Sequence, residues 1–142
     1  MAKRHMPTLK RSLEIDAPPT EVWRVLTNPE LVREWAAAYQ DGISVRTSWR
    51  AGERITWKSA DGSTQAVGAI AAIEPEKLLK IRYDDDDARS FPDTFEIVAK
   101  EDRTWLNVSA DEVDEADLKA AEEALQEIKS LAEESAQIHG LR

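Results

Sequence analysis

The sequence contains no cysteine, which excludes disulfide bonds, thiolate metal sites and cysteine nucleophiles. Its two histidines, His5 and His139, lie in opposite terminal regions. The sequence therefore offers few residues from which a zinc site or a histidine-based catalytic triad could be built. No stretch approaches the ~18 apolar residues of a membrane helix. The basic start, MAKRHMPTLK, leads into no apolar run of the kind that signal peptides contain. These absences predict a cytoplasmic protein with no metal, no cofactor and no membrane insertion.

Basic residues are also outnumbered, with 19 Lys and Arg against 28 Asp and Glu, which gives a net charge of −9. Such a charge disfavours nucleic acid and anionic membrane surfaces as partners, because both are bound by neutralising their phosphates with Lys and Arg. The 142 residues, 42% of them hydrophobic, fit one domain over 1–142. A chain of this length buries about 68–70% of its unfolded surface.

The first forty residues predict one strand and two short helices. TLKRSLEI, residues 8–15, alternates apolar and polar side chains as a strand does. DAPPTE ends that strand, and a proline in a first helical turn predicts a helix over 18–27. TNPE again places a proline at the start of a helix. Asn28 is the expected N-cap and Pro29 the first residue of a second helix, which runs to about Ala38.

Over residues 43–110, apolar side chains recur at every second position. ISVRTSW, ERITWKS, STQAVGAIAAIE, KLLKIRY, DTFEIVAK and RTWLNVSA read as six strands joined by turns, which favours an antiparallel meander. Gly68 marks a bend or bulge in the long third run. The tail from Asp114, the expected N-cap, has apolar residues at helical spacing and predicts a long helix.

Three tryptophans, Trp35, Trp49 and Trp57, fall on the apolar faces of these elements. They either line a cavity and stack on a flat ligand or form ordinary core, and small residues on the facing helix are compatible with both. Arg11 lies on the apolar face of the first strand, where it either meets a ligand or pairs with an acid such as Glu53.

Other polar features favour surface or structural roles. YDDDDARS fits a solvated turn better than a metal site, because consecutive residues of an extended chain point to opposite sides. Glu53 and Glu96 would serve as a catalytic base only if buried. Trp105 is expected on the outer face of the sheet, either in a protein contact such as a dimer interface or over aliphatic stems of its neighbours.

The segments IDAPPTEVWRVLTNPELVREW, GERITW, GAIAAIEPEKLLKIRY and DTFEIVAKEDRTWLNVS resemble the Bet v 1-like (SRPBCC, START-type) superfamily, in the branch of the activator of the heat-shock-protein-90 ATPase. The resemblance implies an α+β helix-grip fold, in which a curved antiparallel sheet of about seven strands (β-α-α-β6-α) wraps around the long C-terminal helix. It also implies a ligand cavity between sheet and helix. The expected lining is Trp35, Ile43, Thr47, Trp49, Trp57, Ile81, Tyr83, Phe95, Ile97, Leu125 and Ile128, with Arg11 as a polar anchor.

Three functions follow from this pattern, and fold alone does not choose among them. The favoured one is non-catalytic binding of a hydrophobic or amphipathic small molecule, lipid-like or polyketide-like. The alternative is a protein-interaction module of the co-chaperone or stress-response kind, with a protein partner or a second copy. A small-molecule cyclase or hydrolase is third, since the sequence shows no catalytic constellation.

Overall fold

A computed structural model describes residues 8–84, 92–110 and 117–140, without the side chains of residues 139 and 140. The elements follow the predicted order: one strand, two short helices, six strands and a long helix. Their bounds are β1 Leu9–Ile15, α1 Pro19–Thr27, α2 Pro29–Ala36, β2 Ser44–Thr47, β3 Arg54–Lys58, β4 Thr64–Glu74, β5 Leu78–Tyr83, β6 Thr94–Lys100, β7 Arg103–Ala110 and α3 Leu118–Gly140. The expected cap at Asp114 and most of the acidic turn after Asp84 lie outside the described residues.

The seven strands form one antiparallel sheet in the order β1-β7-β6-β5-β4-β3-β2. From β2 to β7 each strand pairs with the next along the chain, as short turns favour. β1 closes on β7, so β1 and β2 are the two edges. The α+β helix-grip prediction is confirmed. None of the helices in the described ranges combines the length and apolar composition that a membrane span needs.

The two short helices begin where the prolines predicted. Pro19 and Pro29 occupy the first turns, where their missing N–H groups leave no intrahelical bond unmade. The side chain of Asn28 accepts hydrogen bonds from the N–H groups of Glu30 and Leu31, at 3.0 and 3.3 Å. α2 ends at Ala36, two residues before the predicted end. Asn28 therefore ends one helix and caps the next.

The core lies between the inner face of the sheet and the three helices. Alternate residues of the strands are buried on that face, whereas their neighbours are exposed or half-buried on the outer face. α3 lies against α1, α2 and β1. Its buried side recurs at helical spacing and consists of Ala121, Ala124, Leu125, Ile128 and Ala132. The small residues let the helix approach its neighbours closely.

Gly68 serves close approach rather than a bulge. A Cβ at this position would lie 2.5 Å from the carbonyl oxygen of Arg82 and 3.0 Å from the Cα of Tyr83, on the neighbouring strand. The β4–β5 irregularity lies further along, between Ile70 and Ala72. The predicted bulge therefore does not lie at Gly68, and the glycine is required there by the close approach of the β5 backbone.

Strand β2 is shorter than the alternation predicted. The sequence places Ile43, Val45, Thr47 and Trp49 on one strand face, but β2 ends at Thr47. Trp49 has a left-handed backbone, with φ 57°, and its N–H donates to the Thr47 hydroxyl at 3.3 Å. The strand prediction is wrong at Trp49, because the chain turns before the alternating pattern ends.

Polar contacts fasten α3 to the start of the chain. Lys129 donates to the carbonyl oxygen of Glu14 at 2.8 Å and pairs with Glu133 at 2.5 Å. Glu133 accepts a hydrogen bond from the N–H of Asp16 at 2.9 Å. This bond foremost, and then Lys129, holds the pKa of Glu133 below its usual value, against a smaller opposing effect of burial.

The lowered pKa predicts a pH-dependent contribution to stability. A carboxyl whose pKa is lower in the folded state stabilises the fold above its unfolded pKa, and the contribution disappears as pH falls through the folded value. Glu133→Gln should lower the free energy of unfolding by about 0.5–1 kcal/mol at neutral pH, as expected for a partly exposed ion pair. Urea titrations should show the difference shrink as pH falls below the usual pKa of a glutamate side chain.

Glu127→Gln is the matched control, since Glu127 is exposed on the same helix. Its effect should stay within about 0.5 kcal/mol at every pH. A Glu133→Gln deficit that persists undiminished in acid would show that the carboxylate charge does not stabilise this contact.

Candidate functional site

Three aromatic side chains from different elements meet beneath the sheet. The ring of Trp35, on α2, packs edge-on against Trp57 of β3, with centroids 6.2 Å apart and planes at 71°. It also meets Phe95 of β6 at 6.2 Å and 58°. Tilted arrangements at this spacing are favourable for aromatic pairs. Trp35 therefore bridges two strands that are not neighbours in the sheet.

Trp35 is held firmly in this position. Only 4% of its surface is exposed, and its indole N–H donates to the carbonyl oxygen of Val25 on α1 at 2.9 Å. A buried indole N–H without a partner would cost about 1–3 kcal/mol, so this bond makes the buried position tolerable. Trp35 consequently fixes the angle between the short helices as well as facing the sheet.

Polar groups lie at the border of the aromatic contacts. The indole N–H of Trp57 donates to the hydroxyl of Tyr83 at 3.1 Å. The Tyr39 hydroxyl, just after α2, is shielded from water. We call Trp35, Tyr39, Trp57, Tyr83 and Phe95 the inner aromatic cluster. It places two phenols and an indole N–H within an otherwise apolar interior.

Both phenols are neutral near pH 7. Burial foremost, and then the neighbouring Tyr83 and Asp117, raises the pKa of Tyr39 well above its usual value. Burial also raises the pKa of Tyr83, and Asp93 adds to the rise, although the bond from Trp57 opposes it. A neutral phenol both donates and accepts hydrogen bonds. The cluster is therefore suited to holding an uncharged polar group, and its phenols are poorly suited to act as bases.

The other predicted lining residues occupy the same interior. Ile43, Ile81, Ile97, Leu125 and Ile128 are buried, whereas Thr47 and Trp49 are half-buried near the edge strand β2. Phe95 opposes Leu79 and Val108 across the sheet. The structure thus brings Trp35, Trp57, Tyr83 and Phe95 together and leaves Thr47 and Trp49 at the periphery.

Arg11 lies on the inner face of β1 and reaches α3. Its guanidinium donates two hydrogen bonds to Glu122, at 2.7 and 3.1 Å, in place of the suggested partner Glu53. The Arg11 side chain keeps 41% of its surface exposed. A ligand anion at Arg11 would have to compete with Glu122, which weakens its case as an anchor.

Surface clefts are lined by residues outside the inner aromatic cluster. One of about 670 Å³ lies by the β6–β7 turn, one of about 430 Å³ crosses the outer sheet face beside Arg11, and one of about 870 Å³ lies between α2 and β2. Within the cluster the rings of Trp35, Trp57 and Phe95 are almost closed to solvent, whereas Tyr39 and Tyr83 are half-buried. A ligand that reaches those three rings must therefore displace packed side chains.

Sequence reasoning missed one buried acid, Glu21 of α1, which is 6% exposed. Ser135 of α3 donates to Glu21 at 2.9 Å and accepts from Arg24 at 2.9 Å. From the sequence alone, its place in the first turn of α1 indicates only a favourable charge near the helix N-terminus. Because its partner Ser135 is more than a hundred residues away along the chain, no local signal identifies it. The contact joins α1 to α3.

The remaining candidates are on the surface. Glu53 and Glu96 are exposed, so neither has the burial that a catalytic base requires. Trp105 is half-buried on the outer face, opposite Glu14 and Val98 on its two neighbouring strands. Within residues 8–84, 92–110 and 117–140, no cluster of three His, Asp or Glu side chains is arranged to hold a metal ion.

Comparison with known proteins gives a family match and a set of similar folds. The family described as "Activator of Hsp90 ATPase homolog 1-like protein" matches residues 16–133. The Aha1 dimer of Colwellia psychrerythraea is similar in structure, with a TM-score of 0.66 at 16% identity over 90% of this chain and 97% of that one. A comparison with curated proteins gives no match.

Two further solved structures are similar over nearly their whole length. A protein of Mesorhizobium loti has a TM-score of 0.66 at 20% identity, covering 91% of this chain and 98% of that one. An AHSA1-like protein of Aeromonas hydrophila has a TM-score of 0.59 at 19% identity, covering 94% and 96%. At these identities the likeness establishes the fold alone.

Proposed function

Since this chain belongs to the family of proteins like the activator of Hsp90 ATPase homolog 1, we propose that it uses the helix-grip interior of that fold to bind a hydrophobic or amphipathic small molecule. The ligand would lie between the sheet and α3, at the inner aromatic cluster, without undergoing a reaction. We further propose that the protein acts in the cytoplasm.

The hydrogen-bonded pair of Trp57 and Tyr83 carries this proposal. A core that serves packing alone gains nothing from phenols, because each buried hydroxyl must find a partner to offset its desolvation. Here the Tyr83 hydroxyl accepts from the indole N–H of Trp57, whose ring packs against Trp35, and the phenol of Tyr39 lies near that of Tyr83. Apolar walls with a few polar groups are the usual composition of small-molecule sites.

The chemistry of the cluster defines the class of ligand. Its rings favour a flat or aliphatic body, and its neutral phenols favour a single hydroxyl, carbonyl or ether group. The five cluster residues carry no positive charge, so an anionic head group would lose hydration without a counter-charge. A neutral lipid-like or polyketide-like molecule fits best.

Entry of the ligand requires local opening of the core. Trp35, Trp57 and Phe95 are each 4% exposed, so a ligand cannot reach them through the structure as it stands. Binding would select a minor open state, and its apparent affinity would fall by the fraction of molecules in that state. Slow association is therefore part of the proposal.

Nile red, a neutral lipophilic dye, tests the site. Wild-type protein should give a saturable rise in its fluorescence, which 1-decanol should reverse by displacement. Tyr83→Phe keeps the ring and removes the hydroxyl, so affinity for decanol should fall about fivefold to tenfold, as expected for one lost hydrogen bond.

Thr104→Val is the matched control. Thr104 is also buried on the inner face, but on β7, where it opposes Ile15 and Ala99. The substitution removes a buried hydroxyl outside the inner aromatic cluster and should leave decanol affinity unchanged. Absence of saturable dye uptake, or equal losses in Tyr83→Phe and Thr104→Val, would contradict the proposal.

The protein-interaction alternative is supported by a different region. The family's description names an ATPase activator, and the similar Colwellia protein is a dimer. In this chain the cleft between α2 and β2 is the surface that favours a protein partner. The enzymatic alternative has less support, because Glu53 and Glu96 are exposed.

A further inference from the structure

Strand β2 is an edge of the sheet with an open side. It pairs only with β3, over Ser44–Thr47. In an antiparallel pair alternate residues direct their N–H and C=O groups away from the partner strand, so two of the four residues face the open side. Among the described residues, no further hydrogen bond reaches the backbone of this strand.

The opposite edge, β1, is protected. The carbonyl oxygen of Lys10 accepts from Arg11 at 3.0 Å, and that of Glu14 accepts from Lys129 of α3 at 2.8 Å. Side chains that occupy edge groups are a common way of preventing strand pairing. The contrast shows that the fold occupies the β1 edge with its own side chains, whereas α2 packs beside β2 without hydrogen-bonding the backbone of that strand.

A groove of about 870 Å³ runs along the open edge. All four residues of β2 line it, which places the groove at the edge of the strand rather than on one of its faces, because successive side chains point to opposite faces. Pro29, Glu30 and Arg33 of α2 form the other wall, and the groove continues at the start of β2 to the end of β3 and the turn after it, lined there by Gly42, Lys58, Ser59, Ala60 and Gly62. An exposed strand edge beside a helix is a geometry in which an extended peptide adds to a sheet.

The groove is basic on an acidic protein. Its lining includes three basic side chains, Arg33, Arg46 and Lys58, and one acidic side chain, Glu30, whereas the whole chain carries −9. Arg33 and Arg46 are exposed and form no ion pair with any described residue. Lys58 donates to the hydroxyl of Thr64 at 2.9 Å. The free cations favour a negatively charged occupant.

We propose that this groove binds an extended, acidic peptide segment of a partner protein, which adds to β2 as an eighth strand with its acidic side chains beside Arg33 and Arg46. The backbone of β2 offers alternating donors and acceptors, which a peptide matches and a phosphate chain does not. A second copy of this chain is disfavoured, since antiparallel pairing of two β2 edges brings like charges together.

Short fluorescein-labelled peptides test the proposal by anisotropy. The probe alternates Glu and Val, a second peptide has Lys in place of Glu, and a third carries N-methyl groups on alternate residues of the Glu–Val sequence. The Glu–Val peptide should bind, and its affinity should fall as NaCl rises from about 50 mM to about 500 mM. The Lys–Val and N-methylated peptides should each bind about tenfold more weakly.

Matched double variants locate the site. Arg33→Glu with Arg46→Glu should weaken binding about tenfold or more. Lys80→Glu with Arg82→Glu changes the net charge equally at exposed positions on β5, outside the groove, and should have little effect. Decanol affinity at the inner aromatic cluster should be the same in both double variants, which separates this proposal from the proposed function.

Four results would overturn the inference. They are no binding of the Glu–Val peptide, equal binding of its N-methylated form, equal losses in the two double variants, and a dimer through β2 that excludes the peptide. Equal binding of the N-methylated peptide would show that the peptide does not pair with β2 as a strand. Equal losses in the two double variants would show that binding depends only on the overall charge of the protein. Sedimentation of the free protein detects the dimer.

Discussion

Replacing Trp35 with alanine should lower the free energy of unfolding by about 3–5 kcal/mol, the range for truncation of a large buried aromatic side chain. Trp35 is 4% exposed, contacts Trp57 and Phe95, and bonds to the Val25 carbonyl. The substitution removes all of these interactions and leaves a cavity where α2, β3 and β6 meet. For a domain stabilised by about 5–15 kcal/mol, this is a large fraction of the total.

Urea unfolding curves measure this effect, with Trp105→Ala as the control. Trp105 is half-buried on the outer sheet face, so its loss should cost clearly less than that of Trp35. Trp35→Phe keeps a ring in the cavity but removes the donor to Val25, and should cost about 1–2 kcal/mol. Equal losses for Trp35→Ala and Trp105→Ala would show that Trp35 does not hold the core together.

Replacing Gly68 with alanine should lower the free energy of unfolding by about 1–3 kcal/mol. The new methyl group would lie 2.5 Å from the Arg82 carbonyl oxygen, which is backbone and cannot rotate away. A compatible Gly-to-Ala change would stabilise by about 0.4–1 kcal/mol through the unfolded chain, so the clash outweighs this gain. Strands β4 and β5 must separate, which also displaces Tyr83.

Ala69→Ser is the matched control for this substitution. Like Gly68→Ala it adds one heavy atom to β4, but at a half-buried position on the outer face. Its effect on the urea midpoint should correspond to no more than about 0.5 kcal/mol. A neutral or stabilising Gly68→Ala would mean that the two strands have room to separate without cost.

Much of the fold could be predicted from the sequence because its signals are local. The start of a helix at a proline, and its capping by Asn28, are determined by a few neighbouring residues. Both short helices begin as predicted. Period-two patterns located the strands of the meander. The prediction failed at Trp49, where the backbone turns with φ 57° although the pattern continues.

The site was predictable only in part, because its geometry depends on contacts distant in sequence. Trp35, Trp57, Tyr83 and Phe95 were identified by facing inward, but Tyr39 lies beyond the predicted helix and joins the cluster through the turn after α2. The partner of Arg11, Glu122, and the partner of Glu21, Ser135, are each more than a hundred residues away. Periodicity specifies the face of an element but not its partner.

The most direct test of small-molecule binding is a ¹H–¹⁵N spectrum of the tryptophan indoles during titration with 1-decanol. The account predicts saturable shifts of the Trp35 and Trp57 indole signals, while those of Trp23 and Trp105, which are only half-buried and outside the inner aromatic cluster, stay in place. Single Trp→Phe variants assign the signals. Unchanged Trp35 and Trp57 signals at saturating decanol, or shifts confined to Trp23 and Trp105, would contradict binding at the inner aromatic cluster.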